Sequence, residues 1–163
     1  MITDVGEYIV GAYLKIIEGC DVIDYNARPT GGGVKGLGEL DVIGMNFKTD
    51  TVFICEVTTH ISGLQYGVGY DSTFKKVESK HKRQVAYAKE SLKTFKNKRF
   101  MLWSPRVPKG KLTEKLSSLK NLELIINDEY TAKIDALRAI AKKTTNDMGN
   151  PFFRTLQILE HLR

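Results

Sequence analysis

Apolar residues return at Val5, Ile9, Ala12, Tyr13, Ile16 and Ile17, the three- and four-residue steps of one helical face. Residues 4–18 are therefore expected to form an amphipathic helix, with Asp4 as N-cap and Gly19 as its stop. The pattern then changes period. Residues 21–26 read as a short strand; after a glycine-rich connection over 28–38 come two apolar runs, 39–45 and 51–58, joined by Asn46-Phe47-Lys48-Thr49-Asp50 as a hairpin. Val52, Phe53, Ile54, Cys55 and Val57 make the second run nearly continuous, as in a strand covered on both faces. Residues 59–71, with Gly63, Gly67 and Gly69, read as a long loop of the kind that often serves function. Helical steps resume over 72–95 at Phe74, Val77, His81, Val85, Ala88, Leu92 and Phe95, while lysines and Arg83 crowd the other faces. A strand over 99–103 ended by Pro105, a helix over 111–119, a strand over 122–126 and helices over 130–143 and 151–162 complete the chain. Asn150 is the expected N-cap of the last helix, with Pro151 at its first position. The order α-β-β-β-α-β-α-β-α-α describes an α/β fold: a central mixed sheet of four to five strands flanked by helices, with further C-terminal helices. One domain is expected over 1–163, its core over about 4–126 and a helical extension over about 129–163.

Composition narrows the partners. With 25 Lys and Arg against 19 Asp and Glu, the net charge of +6 favours an anionic partner such as nucleic acid. Hydrophobic content of 42% and charged content of 27% are those of an ordinary globular chain, which argues against disorder and membrane insertion. No apolar run approaches the roughly 20 residues of a membrane helix, and no leader pattern opens the chain, so a cytoplasmic location is expected. Cys20 and Cys55, in apolar surroundings and without CxxC spacing, read as buried reduced thiols. The three histidines, His60, His81 and His161, do not cluster with them or with each other, so no zinc site is expected.

The chemistry lies in Gly38-Glu39-Leu40-Asp41-Val42-Ile43-Gly44 and, fifteen residues after Asp41, Glu56-Val57-Thr58. Both segments set a carboxylate at the end of an apolar strand. Alone, either would be costly to bury; converging, the two can hold a hard divalent cation through oxygen ligands. Mg²⁺ suits such a pair, with Mn²⁺ as a substitute, because it takes one or two protein carboxylates and fills its octahedron with water and phosphate.

These segments, with the leading helix that opens Gly6-Glu7, resemble the core of the PD-(D/E)XK (restriction-endonuclease-like) nuclease superfamily, in particular its Holliday-junction-resolvase-like branch. The resemblance covers roughly residues 4–104. It implies a restriction-endonuclease-like core and Mg²⁺-dependent hydrolysis of DNA by a metal-activated water. Asp41 and Glu56 would bind the metal with the main-chain carbonyl of Val57, and Glu7 would be an additional acid. Glu7 also falls at the third helical position, where a capping box with Asp4 wants a glutamate. Glu39, two residues before Asp41, shares its face and either assists or is a solvated strand-start residue. Thr58 stands where the family carries a lysine. The resemblance allows that lysine to migrate to the long helix, which points to Lys80, with Lys76 next; each also has the reading of a solvated lysine. Gln84 matches a polar position on the same helix, as a catalytic or a structural amide.

Arg28 and Lys35 beside the glycines, and Lys75, Lys76 and Arg83 on the long helix, are the expected contacts to a DNA backbone. The terminal helix, with Phe152, Phe153, Leu156, Ile158 and Leu159, is expected to cover the core rather than a second subunit, although a homodimer or partner protein also suits it. Two functions follow. One is a metal-dependent endodeoxyribonuclease; the other, for which Thr58 speaks, is an inactive DNA-binding module or a subunit of a larger nuclease assembly.

Overall fold

The computed structural model of the protein describes residues 2–28 and 38–163. Most of the glycine-rich connection, with Lys35, lies outside the described residues. Within them the elements follow the expected order: α1 (Val5–Ile16), β1 (Val22–Ala27), β2 (Leu40–Asn46), β3 (Thr51–Val57), α2 (Gly69–Ser91), β4 (Asn97–Ser104), α3 (Lys111–Ser117), β5 (Glu123–Ile126), α4 (Asp128–Ala141) and α5 (Pro151–His161).

The five strands form one sheet in chain order. β1, β2 and β3 are antiparallel neighbours, and β3, β4 and β5 are parallel. The antiparallel half needs only tight connections. Between β2 and β3, Thr49 N–H donates to Asn46 Oδ1 at 3.0 Å and Asp50 turns the chain at φ 53°. The parallel half needs crossovers, supplied by α2 and α3, because parallel strands cannot be joined by a hairpin.

Each sheet face is covered. On one side Val10, Tyr13 and Leu14 of α1 meet Phe53, Cys55, Met101 and Trp103 of the sheet, together with Leu137, Ala141, Phe153 and Leu156 of α4 and α5. Tyr25 of β1 lies so close to α1 that a Cβ at Gly11 would sit 1.9 Å from its hydroxyl, which explains a glycine inside a helix. On the other side Ile43, Val52 and Ile54 are covered by Ala88 of α2 and by Leu92 just beyond its end, and Leu102 and Val107 by Val77, joined by Leu112 and Leu116 of α3. Phe153 and Leu156 of α5 thus face the core, and Asn150 both caps α5 through Phe153 N–H (2.9 Å) and donates to Tyr8 O of α1 (2.9 Å). Ile158, Leu159 and Leu162 remain exposed. Both cysteines are buried free thiols, and burial pushes Cys20 up to about 12.

Element ends shift by a few residues from expectation, most of all at the two ends of α2. α2 begins at Gly69, inside the expected loop, where the Thr73 hydroxyl reaches back to Gly69 O (3.3 Å) and Gly69 takes φ +80°. It ends at Ser91; Leu92 and Phe95 keep their apolar spacing by a turn in which Phe95 N–H donates to Leu92 O (3.2 Å). Among the described residues no helix is long and apolar enough to cross a membrane.

Candidate functional site

The β2–β3 pairing runs from Asn46↔Thr51 to Val42↔Cys55. Carried one residue further, the same register sets Asp41 directly opposite Glu56. Residues so placed have Cβ atoms roughly 5 Å apart, and like charges there repel unless something intervenes. What surrounds them is an open cleft of about 490 Å³ between the sheet end and α2, lined by Arg28, Gly38, Glu39, Asp41, Glu56, Tyr66, Lys76, Lys80 and Arg83.

Glu56 is 4% exposed, and Lys80 of α2 donates to its Oε1. Its Oε2 is buried with no hydrogen-bond partner among the described residues. Burial first, and then the Asp41 carboxylate, push the Glu56 carboxyl up to about 7, against the opposing pull of Lys80. Burial works to lower the Lys80 ammonium, but the Glu56 carboxylate outweighs it and leaves Lys80 above its ordinary value. Asp41 is half-buried and its Oδ2 accepts from Val57 N–H at 2.8 Å, which fixes the carboxylate at the end of β3. Val57 thus meets Asp41 through its N–H.

Lys80 has a second neighbour. Its Nζ lies 5.3 Å from the centre of the Tyr66 ring. Tyr66 is held in turn, its N–H donating to Thr73 Oγ1 at 2.9 Å and its ring lying 5.4 Å from that of His60. The His60 imidazole also accepts from Gln65 N–H through Nδ1 at 3.2 Å.

The remaining expected residues divide. Arg83 and Lys76 line the cleft; a Cβ at Gly38 would lie 1.8 Å from Arg83 Nη1, so the glycine makes room for the guanidinium, whose Nε has no partner among the described residues. Arg28 and Glu39 also line the cleft and are paired with each other. Lys75 is exposed outside it. Glu7 is buried and completes the capping box, its Oε2 accepting from Asp4 N–H (3.0 Å) and Asn26 Nδ2 (3.2 Å). Burial raises its carboxyl, those two donors oppose the rise, and Asp41 is close enough to add to it.

Thr58 and Gln84 have structural partners. The Thr58 hydroxyl donates to Ser104 Oγ at 2.7 Å, and Thr58 does not line the cleft. Gln84, 1% exposed, donates through Nε2 to Ile54 O (2.9 Å) and Met101 O (3.1 Å), tying α2 to β3 and β4, while its Oε1 faces His81 Nδ1 at 3.1 Å. Sequence reasoning passed over Asn26 and Ser104. Asn26, at φ 57°, lies within β1 between the pairs Tyr25↔Val42 and Ala27↔Leu40, and its side chain reaches Glu7; its only signal was a residue type that tolerates positive φ.

No protein-family model, curated protein or solved structure matches the chain.

Chemically, the cleft offers oxygen donors at its floor and guanidinium and ammonium groups on its walls. Among the described residues no three His, Cys, Asp or Glu side chains gather as a metal-binding group. Asp41 and Glu56 supply two carboxylates, and Mg²⁺ commonly takes one or two from protein. The unpartnered Glu56 Oε2 beside Asp41 fits a hard cation, since one bound there would satisfy that oxygen and offset the burial and the Asp41 charge that raise the Glu56 carboxyl.

Proposed function

We propose that this protein is a metal-dependent DNA endonuclease with a restriction-endonuclease-like core of the PD-(D/E)XK type. The observation that carries the reading is the opposition of Asp41 and Glu56 at the floor of a cleft walled by Lys76, Lys80 and Arg83. The order of elements, with a mixed sheet and one helix before it, also supports it. Asp41 and Glu56 would hold Mg²⁺ or Mn²⁺, with Val57 as the adjacent main-chain ligand. Bound there, the ion supplies an activated water and neutralises charge on the phosphodiester.

The side chains do the rest. Arg83 offers a planar fork of donors to a backbone phosphate, and Lys76 adds a point charge beside it. Lys80 supplies the positive charge that Thr58 cannot, next to the carboxylates and inside the same cleft. Glu7 is a positioning residue in this reading: it ties the start of α1 to Asn26 near Asp41.

A second reading, a nuclease fold that binds DNA without cutting it, is favoured by one feature, the engagement of the Thr58 hydroxyl with Ser104 away from the cleft. Cleavage of labelled duplex, single-stranded and four-way-junction DNA with Mg²⁺ or Mn²⁺ separates the two. Metal-dependent cutting should fall by about a hundredfold or more in Asp41→Ala and Glu56→Ala. Tight binding without cutting by the native chain under either ion would establish the second reading.

A further inference from the structure

Lys80 stands between two partners of different kinds. Its ammonium is bonded to Glu56 and lies over the Tyr66 ring, and its side chain is only 17% exposed, so water can replace neither contact well. A divalent cation and an ammonium on one carboxylate repel each other strongly in such surroundings. The helix cannot carry the lysine away, because Gln84, one turn further along α2, is bonded to the main chain of both β3 and β4. Only the flexible four-carbon stem can move.

Its destinations are few. Lys76 and Arg83 on the same cleft wall repel it, and Glu39 is already paired with Arg28. The face of Tyr66 attracts a cation. The main chain at Tyr66 is held by Thr73, whose hydroxyl accepts from Tyr66 N–H, and the ring is flanked by His60.

We propose that Lys80 is the resident counter-ion of the Asp41–Glu56 pair, and that Tyr66 is the positioning residue that receives its ammonium when a divalent cation takes Glu56. The inference rests on the reading of Asp41 and Glu56 as cation ligands. It adds a selection rule. A monovalent ion gains nothing by replacing an ammonium of equal charge, so Na⁺ and K⁺ are refused, while an ion of higher charge is admitted. It also leaves Lys80 loaded into the cleft at the moment the cation arrives.

The test is Mn²⁺ binding by the full-length chain, followed by isothermal titration calorimetry and by the electron paramagnetic resonance of free Mn²⁺. Lys80→Met should bind Mn²⁺ at least about tenfold more tightly. Tyr66→Leu should bind it roughly three- to tenfold more weakly, and Tyr66→Phe, which keeps the ring face, should match the native chain. In the Lys80→Met background, adding Tyr66→Leu should change nothing, since the ring then has no ammonium to receive. Thermal unfolding of each variant confirms that the protein compared is folded. Unchanged or weaker binding by Lys80→Met, or a Tyr66→Leu loss that persists without Lys80, overturns the proposal while leaving the carboxylate site intact, provided Glu56→Gln abolishes binding. Failure of both the native chain and Lys80→Met to bind Mn²⁺ removes the cation-binding reading itself, and the proposal with it.

Discussion

Thr58 and Glu56 are two residues apart, yet their environments give them different work. Thr58 is buried against Ser104, and removing its hydroxyl leaves the Ser104 hydroxyl without its partner in a fully buried place. Thr58→Ala should therefore lower unfolding free energy by about 1–2 kcal/mol in a urea titration while leaving DNA cleavage near native. Glu56 carries the opposite signature. Its folded pKa, about 7, lies above its ordinary 4.5, so between those values the folded chain holds a proton that the unfolded chain has released. The resulting stabilisation is full below the unfolded value and disappears as pH rises through the folded one. Unfolding free energy should fall between about pH 4.5 and 7, by on the order of 1–3 kcal/mol, and Glu56→Gln should remove most of that slope. The raised carboxyl of Glu7 adds a smaller trend in the same direction. A rise in stability over this interval would place the charged form of Glu56 in a more favourable setting than its burial allows.

At the scale of elements, α2 couples the site to the sheet through one amide. Gln84→Leu leaves three acceptors or donors behind, at Ile54 O, Met101 O and His81, and should cost about 2–3 kcal/mol by chemical denaturation, with Lys80 displaced as a consequence. The helix itself was plain in the sequence, because Val77, His81, Ala88 and Leu92 repeat at helical steps over many turns. So were the two carboxylates, which stand out against apolar strands. Less was legible at the ends of elements: the start of α2 depends on Thr73 reaching back to Gly69, a local bond that no periodicity encodes. The division of labour along α2 was equally hidden. Lys80 and Gln84 lie one turn apart on the same row, and only the depth of each in the packed structure sets one in the cleft and buries the other beneath it. Asn26 and Ser104 gave almost no sign, since their partners, Glu7 and Thr58, are distant in sequence and near only once the sheet has formed.

For the whole molecule, the two faces of the sheet have separate duties. The α2 side bears the cleft, and the side covered by α1, α4 and α5 holds the largest continuous core. Phe153, fully buried there, should cost about 3–5 kcal/mol when changed to alanine, measured by thermal or denaturant unfolding, although it is far from the acids in sequence. Loss of that much would lower the amount of folded protein without changing the cleft of each folded molecule. The hairpin that brings Asp41 and Glu56 face to face has its turn at the other end of the sheet, roughly 20 Å away at about 3.4 Å per residue. The fifteen-residue interval between the acids is accordingly a length set by that turn. A one-residue slip of β2 against β3 would set Asp41 opposite Val57 and turn the two carboxylates to different faces, with every cleft residue unchanged. The meeting of the two acids is thus decided by strand register, which is laid down along the whole length of the hairpin and not within the cleft.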